Sequence, residues 1–275
     1  MSNRPDSPVV AGVDGTAAGF RAVRLAASEA TLRGRPLTLF ATHRPQPDQT
    51  RPGESGTRHW LAEAESVVRE AHPGLSPRVG LESGDLADVL IDASHGAELV
   101  AVGETGEFAA SERVAAHASA PVLVVTGAGG HPAPDGPIVV GVDGANPWPA
   151  ALTFAFEEAE RRGVTLVPLY AWSGLPDTAL SEVDPFAYDL RRAADEADRV
   201  LAEALAGWSE RYPQVRVRRR AVLHHDPAEA LIQASEQAAM LVVSTCSHVG
   251  RSEQLLGTVT RRVLHRAPCP VAVLR

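Results

Sequence analysis

The sequence predicts an α/β protein built from two repeated open parallel-sheet domains, each with five strands and with helices on both faces. Two observations lead to this prediction. Short apolar runs alternate with segments of helical periodicity along the 275 residues, and the whole pattern occurs twice. Because the apolar runs are nearly continuous, their strands should be covered on both faces, as in a parallel sheet.

The repetition consists of three matches that occur in the same order in each half. Their offsets are 129, 141 and 149 residues, so the second half has gained 12 residues and then a further 8. Three ordered matches predict a duplicated domain. The matched segments are Val9–Gly15 with Val139–Gly144, Gly84–Ile91 with His225–Ile232, and Pro121–Val125 with Pro270–Leu274.

The domain boundary is predicted near Gly130, where Gly127–Pro137 (GAGGHPAPDGP) has the glycine and proline content of a linker. We therefore expect a first domain over residues 1–127, a linker over 128–136 and a second domain over 137–275. The strand candidates are Val9–Asp14, Leu37–Thr42, Val79–Glu82, Leu99–Gly103 and Pro121–Val125 in the first half, and Ile138–Asp143, Thr165–Trp172, Val215–Val222, Leu241–Ser244 and Pro270–Leu274 in the second.

Composition excludes several classes of function. The net charge of −8 disfavours nucleic acid and anionic membranes as partners. All 26 basic residues are arginine, so chemistry that needs a lysine amine, such as Schiff-base formation or a P-loop lysine, is excluded. Two cysteines far apart form neither a zinc-ligand set nor a disulfide framework, and no apolar run is long enough for a membrane span. We expect a soluble cytoplasmic protein.

Ligands of open α/β sheets lie beyond the carboxyl ends of the strands, at the point where the winding reverses. The first strand of each half ends in an aspartate, Asp14 and Asp143. Such a carboxylate either binds ribose hydroxyls or a metal, or caps the following helix. The sequence alone leaves both alternatives open.

The end of the chain resembles the closing segment of the universal stress protein family. The resemblance lies in Leu241–Ser247, Leu255–Val259 and Val263–Val271, and the Gly-Val-Asp-Gly openings extend it over both halves. The chain thus resembles a tandem member of that family. The resemblance implies the strand order 3-2-1-4-5 in each half, and pairing of the two fifth strands would make an intramolecular pseudo-dimer.

The family uses an adenine-nucleotide motif: Gly, two residues, Gly, nine residues, then Gly followed by Ser or Thr. Glycines let the backbone approach the ligand, and the closing pair presents N–H groups and a hydroxyl at a helix N-terminus. In the second half the spacing survives as Ser244, Ser247, Gly257 and Thr258, with serine at both leading glycine positions. The resemblance implies weak binding of ATP or a related adenine nucleotide, accompanied by Mg²⁺. It assigns the backbone of Ala171 to adenine, and Asp143 would lie near the ribose.

In the first half both leading glycines remain, as Gly103 and Gly106, but the following loop is 8 residues short. Glu104 and Glu107 would repel an anion there. We therefore expect a degenerate site, with Asp14 near the ribose position and Thr42 at the adenine position.

Three other groups of residues favour ordinary structural roles. His224-His225-Asp226 is expected to be a strand-end loop rather than a metal site, because neighbouring strand residues point to opposite faces. Arg218–Arg220 should form a solvated strand face, and Cys269 should be a buried or edge thiol rather than a redox centre. No catalytic motif is recognised, so we predict neither catalytic residues nor a metal site.

Two hypotheses follow. In the first, the chain is a non-catalytic stress-response module in which nucleotide bound to the second domain biases homodimer formation or the binding of a protein partner. In the second, it is a nucleotide-independent scaffold or adaptor with both sites degenerate. A third alternative, slow ATP hydrolysis, lacks an identifiable base. The Pro/Asp-rich insertion Ser173–Pro185 either lines a site or is a tolerated surface loop, and under the scaffold hypothesis it is where a protein partner would be sought.

Overall fold

The computed structural model describes residues 7–43, 53–104, 109–126, 133–143, 149–172, 190–245 and 256–275. The strands are β1 Val9–Gly12, β2 Leu37–His43, β3 Arg78–Ser83, β4 Leu99–Gly103, β5 Val122–Val125, β6 Ile138–Gly141, β7 Leu166–Trp172, β8 Arg220–Leu223, β9 Met240–Ser244 and β10 Val271–Leu274. The helices are α1 Ala17–Arg33, α2 Glu54–Ala71, α3 Leu86–Ser94, α4 Ala109–His117, α5 Pro149–Arg162, α6 Leu190–Ala204, α7 Trp208–Arg211, α8 Pro227–Ser235 and α9 Thr258–Arg266.

The chain forms two compact units that do not coincide with the two sequence repeats. The first unit comprises residues 1–129, 245–265 and 270–275, and the second comprises 130–244 and 266–269. The last strand, β10, therefore belongs to the first unit although it is the fifth strand of the second repeat. The sequence-based domain boundaries remain a prediction.

The first unit contains strands in the order β3-β2-β1-β4-β5-β10. Strands β1 to β5 pair in parallel, and their order confirms the predicted 3-2-1-4-5 arrangement. Every residue of β1, β4 and β5 is buried, as expected for strands covered on both faces. The predicted α/β class with helices packed on a mostly parallel sheet is confirmed.

The predicted pairing of the two fifth strands is also present. β10 lies antiparallel to β5, with Ala272 opposite Leu123, and both strands are buried throughout. Two short apolar strands thereby cover each other's edges, which would otherwise expose unpaired backbone groups.

The second unit contains strands in the order β9-β6-β7-β8, all paired in parallel. This is the predicted order for the first four strands of the second repeat. Strand β8 begins at Arg220, whereas the sequence predicted a strand over Val215–Val222. Leu166 and Val217 form an isolated bridge in the same register as β8, so the pairing starts where it was predicted but is interrupted.

Pro168 explains the interruption. The Leu166 N–H donates to the Arg216 carbonyl, and the Leu166 carbonyl accepts from the Arg218 N–H, both at 2.8 Å. Alternate residues of a parallel strand face the same neighbour, so residue 168 also faces β8. Proline has no N–H to donate, and the ladder lacks one hydrogen bond at that position.

Both repeats contain a buried glutamate that pairs with an arginine four residues later in the first helix. Glu29 bonds to Arg33 at 3.0 Å, and Glu158 bonds to Arg162 at 3.1 Å, with both glutamate side chains 0% exposed. A left-handed glycine follows each arginine. The 129-residue offset relates the two sets, which the sequence analysis did not single out although EATLRG and EAERRG are visibly similar.

We expect Glu158→Ala to lower the free energy of unfolding by about 2 kcal/mol, because it removes a fully buried carboxylate that pairs with both Arg161 and Arg162. Glu157→Ala is the matched control, since Glu157 also pairs with Arg161 but is 38% exposed, and should cost less than about 1 kcal/mol. Urea denaturation followed by far-UV circular dichroism measures both. Equal losses in the two variants would contradict the assigned role of burial.

Candidate nucleotide site

Three predicted site residues of the second repeat lie at the carboxyl edge of the second unit. Ala171 is the penultimate residue of strand β7, Ser244 ends β9, and Asp143 follows β6. Because β9, β6 and β7 are adjacent and parallel, these three positions share one edge of the sheet. Asp143 is exposed, and the other two residues are half-buried.

The closing pair of the motif lies in the first unit, at the start of helix α9. Thr258 is the first helical residue and is exposed, while the Gly257 carbonyl accepts the Arg261 N–H at 3.0 Å. The first turn contains no acidic residue. Early N–H groups of a helix have no intrahelical partner, so this end of α9 suits an anion. Ser247 and Gly106, the second motif positions of the two halves, lie outside the described residues.

In the first repeat, Asp14 supports the start of helix α1. Its Oδ1 accepts the Thr16 N–H at 3.0 Å and the Thr16 hydroxyl at 2.7 Å. Thr16 is the N-cap, and its hydroxyl oxygen accepts the Gly19 N–H at 3.0 Å. Of the two alternatives open in the sequence, the contacts of Asp14 match the capping role.

Helix α2 contacts two further positions near the ends of β1 and β2, Gly15 and Thr42. Gly15 has φ +77°, and a Cβ atom there would clash with the indole ring of Trp60, so the ring packs directly on this glycine. The buried Thr57 hydroxyl lies 3.4 Å from the Thr42 carbonyl oxygen, the backbone group that the resemblance assigns to adenine. The sequence gives no signal for the contact between Gly15 and Trp60, because the two residues are far apart in the chain.

Gly103 and Glu104 end strand β4 with contacts that the sequence analysis did not foresee. A Cβ atom at Gly103 would clash with backbone atoms of Ala18 and Gly19, so the missing side chain lets α1 pack closely on the end of β4. Glu104 was expected to repel an anion. Its side chain is instead only 7% exposed and lies 2.8 Å from His265 Nδ1 on α9.

The other ring nitrogen of His265 also faces a carboxylate. Its Nε2 lies 2.9 Å from Glu112 Oε1, and Glu112 further pairs with Arg261 at 3.1 Å. Four charged or titratable side chains therefore hold α9 against α4 and the end of β4, all within the first unit.

The His224-His225-Asp226 segment is structural. Asp226 caps α8 by accepting the Ala228 and Glu229 N–H groups, and its own N–H donates to His224 Nδ1 at 3.0 Å. The predicted strand-end loop is confirmed, because both histidines follow the end of β8; their rings stack at 5.1 Å and do not point to opposite faces. In the described part of the chain, no three His, Cys, Asp or Glu side chains are grouped as a metal site.

Comparison with known proteins agrees with this architecture. The sequence pattern described as Universal stress protein family matches residues 7–126 and 136–275. The chain belongs to the universal stress protein family. A universal stress protein from Mycolicibacterium smegmatis and universal stress protein Rv2623 from Mycobacterium tuberculosis are each 35% identical over 291 residues, covering 97% of this chain and 96% of theirs.

A solved universal stress protein from Archaeoglobus fulgidus shares the fold. Its TM-score is 0.70 at 17% identity, with 98% of this chain and 96% of that one covered. Together with the two family matches, this likeness confirms the tandem type that the sequence resembles. Among the described helices, none is both long and apolar enough to cross a membrane.

We expect Gly103→Ala to destabilise this universal stress protein by about 2 kcal/mol, because the new methyl group must displace the backbone of α1. Gly96→Ala serves as the control, since no atom lies within 4 Å of its Cβ position and its φ is not positive; it should change stability by less than about 0.5 kcal/mol. The urea midpoint measures both. A neutral Gly103→Ala would show that α1 does not depend on this glycine.

Cys269 is 2% exposed, and burial raises the pKa of its thiol to about 12. The native thiol therefore keeps its proton above pH 9, where the thiol of the unfolded chain loses it, so the stability contribution of Cys269 is lost as pH rises. In a Cys246→Ser background, we expect the native thiol to react with Ellman's reagent about a hundredfold more slowly than the denatured one.

The same background tests the pH dependence. The urea midpoint should fall more steeply from about pH 8 to about pH 10 when Cys269 is present than in a Cys269→Ala variant. Rapid labelling of the native protein, or parallel pH profiles, would contradict a buried and inert thiol.

Proposed function

We propose that this chain is a non-catalytic stress-response module that binds ATP or a related adenine nucleotide weakly, through its second repeat alone. The observation that carries the proposal is the set of contacts that the first repeat makes at its own motif positions. In the first, Trp60 packs on Gly15, Thr57 contacts the Thr42 carbonyl and Glu104 pairs with His265. Intramolecular contacts thus take up the positions that a nucleotide would use.

The second repeat supplies suitable groups for each part of a nucleotide. The backbone of Ala171 is assigned to adenine and the exposed Asp143 to the ribose hydroxyls. Gly257 and Thr258 offer N–H groups and a hydroxyl to the phosphates at a helix end without acidic residues. Phosphate oxygens together with water would supply the ligands of an accompanying Mg²⁺.

A nucleotide-independent scaffold is the second candidate function. It is favoured by the two serines at the leading motif positions, because a Cβ atom at Ser244 and Ser247 restricts close approach of a ligand to the backbone. In that case the chain would act through protein partners only.

Calorimetric titration of the full chain with Mg-ATP tests the proposal. Ser244→Gly/Ser247→Gly should tighten binding by about tenfold, because removing each Cβ restores close approach. Thr258→Val should weaken binding by about fivefold, since it removes a hydroxyl without changing side-chain shape. Asp14→Asn, in the first repeat, is the control and should leave affinity unchanged.

The outcomes separate the two functions. If Asp14→Asn lowers the affinity and Thr258→Val does not, the nucleotide binds the first repeat and the proposed site is wrong. If neither the unmodified chain nor the glycine variant binds at millimolar concentration, the scaffold function replaces the proposal.

A further inference from the structure

An arginine-rich segment at the edge of the second unit has no role in the proposed nucleotide site. Residues 216–220 read Arg-Val-Arg-Arg-Arg, and all four arginines are exposed. None of their guanidinium groups forms a salt bridge or hydrogen bond with any residue that the structure describes. Elsewhere in this unit arginines are paired, as Arg161 and Arg199 are with glutamates. Four unpaired cations in five residues create a local positive field on a chain whose net charge is −8.

The matching edge of the first repeat is different. Strand register relates the two edges, because Leu169 is opposite Arg220 and its counterpart Phe40 is opposite Gly80. Residues 216–220 therefore correspond to 76–80, which carry the single cation Arg78. Pro77 stands at the position of Val217 and has no N–H to donate to an added strand. Proline and isolated charges are common ways to keep an edge strand from pairing. The second repeat lacks the proline and concentrates positive charge instead.

The main chain of β8 has one side without partners in the described structure. Strand β8 ends the order β9-β6-β7-β8, and its bonds to β7 involve Arg216, Arg218 and His224. The alternate residues Arg219, Ala221 and Leu223 therefore direct their N–H and carbonyl groups to the opposite side. Leu223 is 52% exposed on this strand. The free edge of β8 therefore combines backbone N–H and carbonyl groups with positively charged arginine side chains.

A groove lies beside this edge, on one face of the sheet and within the second unit. Its volume is about 720 Å³, and its lining includes Arg218 and Arg220 together with Val139, Val167, Thr165 and Asp135. Strand register explains the arrangement, because Val139 is opposite Val167 and Arg220 is opposite Leu169, so these side chains share a face. The valines are buried and form an apolar floor beneath the two guanidinium groups.

We propose that β8 docks an extended acidic segment of a partner protein, which adds to the free edge as a further strand. Its backbone would bond to Arg219, Ala221 and Leu223, and carboxylates at alternate positions would reach Arg218 and Arg220. Every second side chain of an extended segment lies on the same face, as the two groove arginines do. Guanidinium groups match carboxylates in shape and charge. A small anion would use the arginines but not the edge, and a nucleic acid would face the net negative charge of the chain.

Fluorescence anisotropy on the full chain tests the proposal, with a labelled peptide of about ten residues that alternates Glu and Thr. The matched peptide alternates Glu and Pro, which keeps the charge but removes the N–H groups needed for strand addition. At about 150 mM salt we expect saturable binding of the first peptide and binding at least about tenfold weaker for the second.

Two charge-matched variants locate the surface. Arg218→Glu/Arg220→Glu should weaken binding by at least about tenfold, since each substitution replaces attraction with repulsion. Arg24→Glu/Arg78→Glu changes the net charge equally at exposed positions of the first unit and should alter affinity by less than about twofold. Far-UV circular dichroism verifies that both variants fold.

Four results would overturn the proposal. These are no saturable binding, equal loss in the two variants, equal affinity for the Glu-Pro peptide, and full competition by millimolar phosphate or by a short oligothymidylate. The last would identify a general anion site or a nucleic-acid surface instead. None of these four results depends on nucleotide binding, so failure of this proposal is distinguishable from failure of the proposed function.

Discussion

The antiparallel pairing of β10 with β5 is the contact on which the organisation of this chain depends. It buries two apolar strands that would each expose an edge, and it assigns the fifth strand of the second repeat to the first unit. Arg275 reinforces the end of this strand, since its guanidinium group donates to the His117 and Ala118 carbonyls at 3.3 Å. The compact units of the chain therefore do not coincide with its duplicated halves.

Helix α9 is held near its C-terminal end by side chains of the first repeat. The helix precedes β10 and so lies largely in the first unit, where His265 contacts Glu104 and Glu112. The imidazole ring thereby links Glu104 at the end of β4 to Glu112 on α4. The first repeat thus uses its loop residue Glu104 as an internal contact. The other end of the helix, at Thr258, has no such contact among the described residues that would block an anion.

The sequence predicted the strands well because each is a short apolar run, and burial on both faces leaves little freedom in where such runs lie. It predicted the start of β8 poorly because the interruption comes from Pro168 on the neighbouring strand. The packing of Trp60 on Gly15 was out of reach for the same reason, since a contact between distant residues leaves no local pattern. The similar segments that contain Glu29 and Glu158 are visible in the sequence, but their burial was not predicted, because charged residues are seldom fully buried.

The glycine motif combines two physical demands that the structure separates. Glycine at the first position was interpreted as room for a ligand, yet at Gly103 the missing Cβ makes room for the backbone of α1. Serine at the matching position 244 is half-buried at the end of β9 and is compatible with the strand order of the second unit. The loss of that glycine therefore reports on helix packing as much as on ligand approach. Serine at position 244 is therefore a weaker argument for a nucleotide-independent scaffold. The groups at Asp143 and Thr258 bear more directly on whether the second repeat binds a ligand.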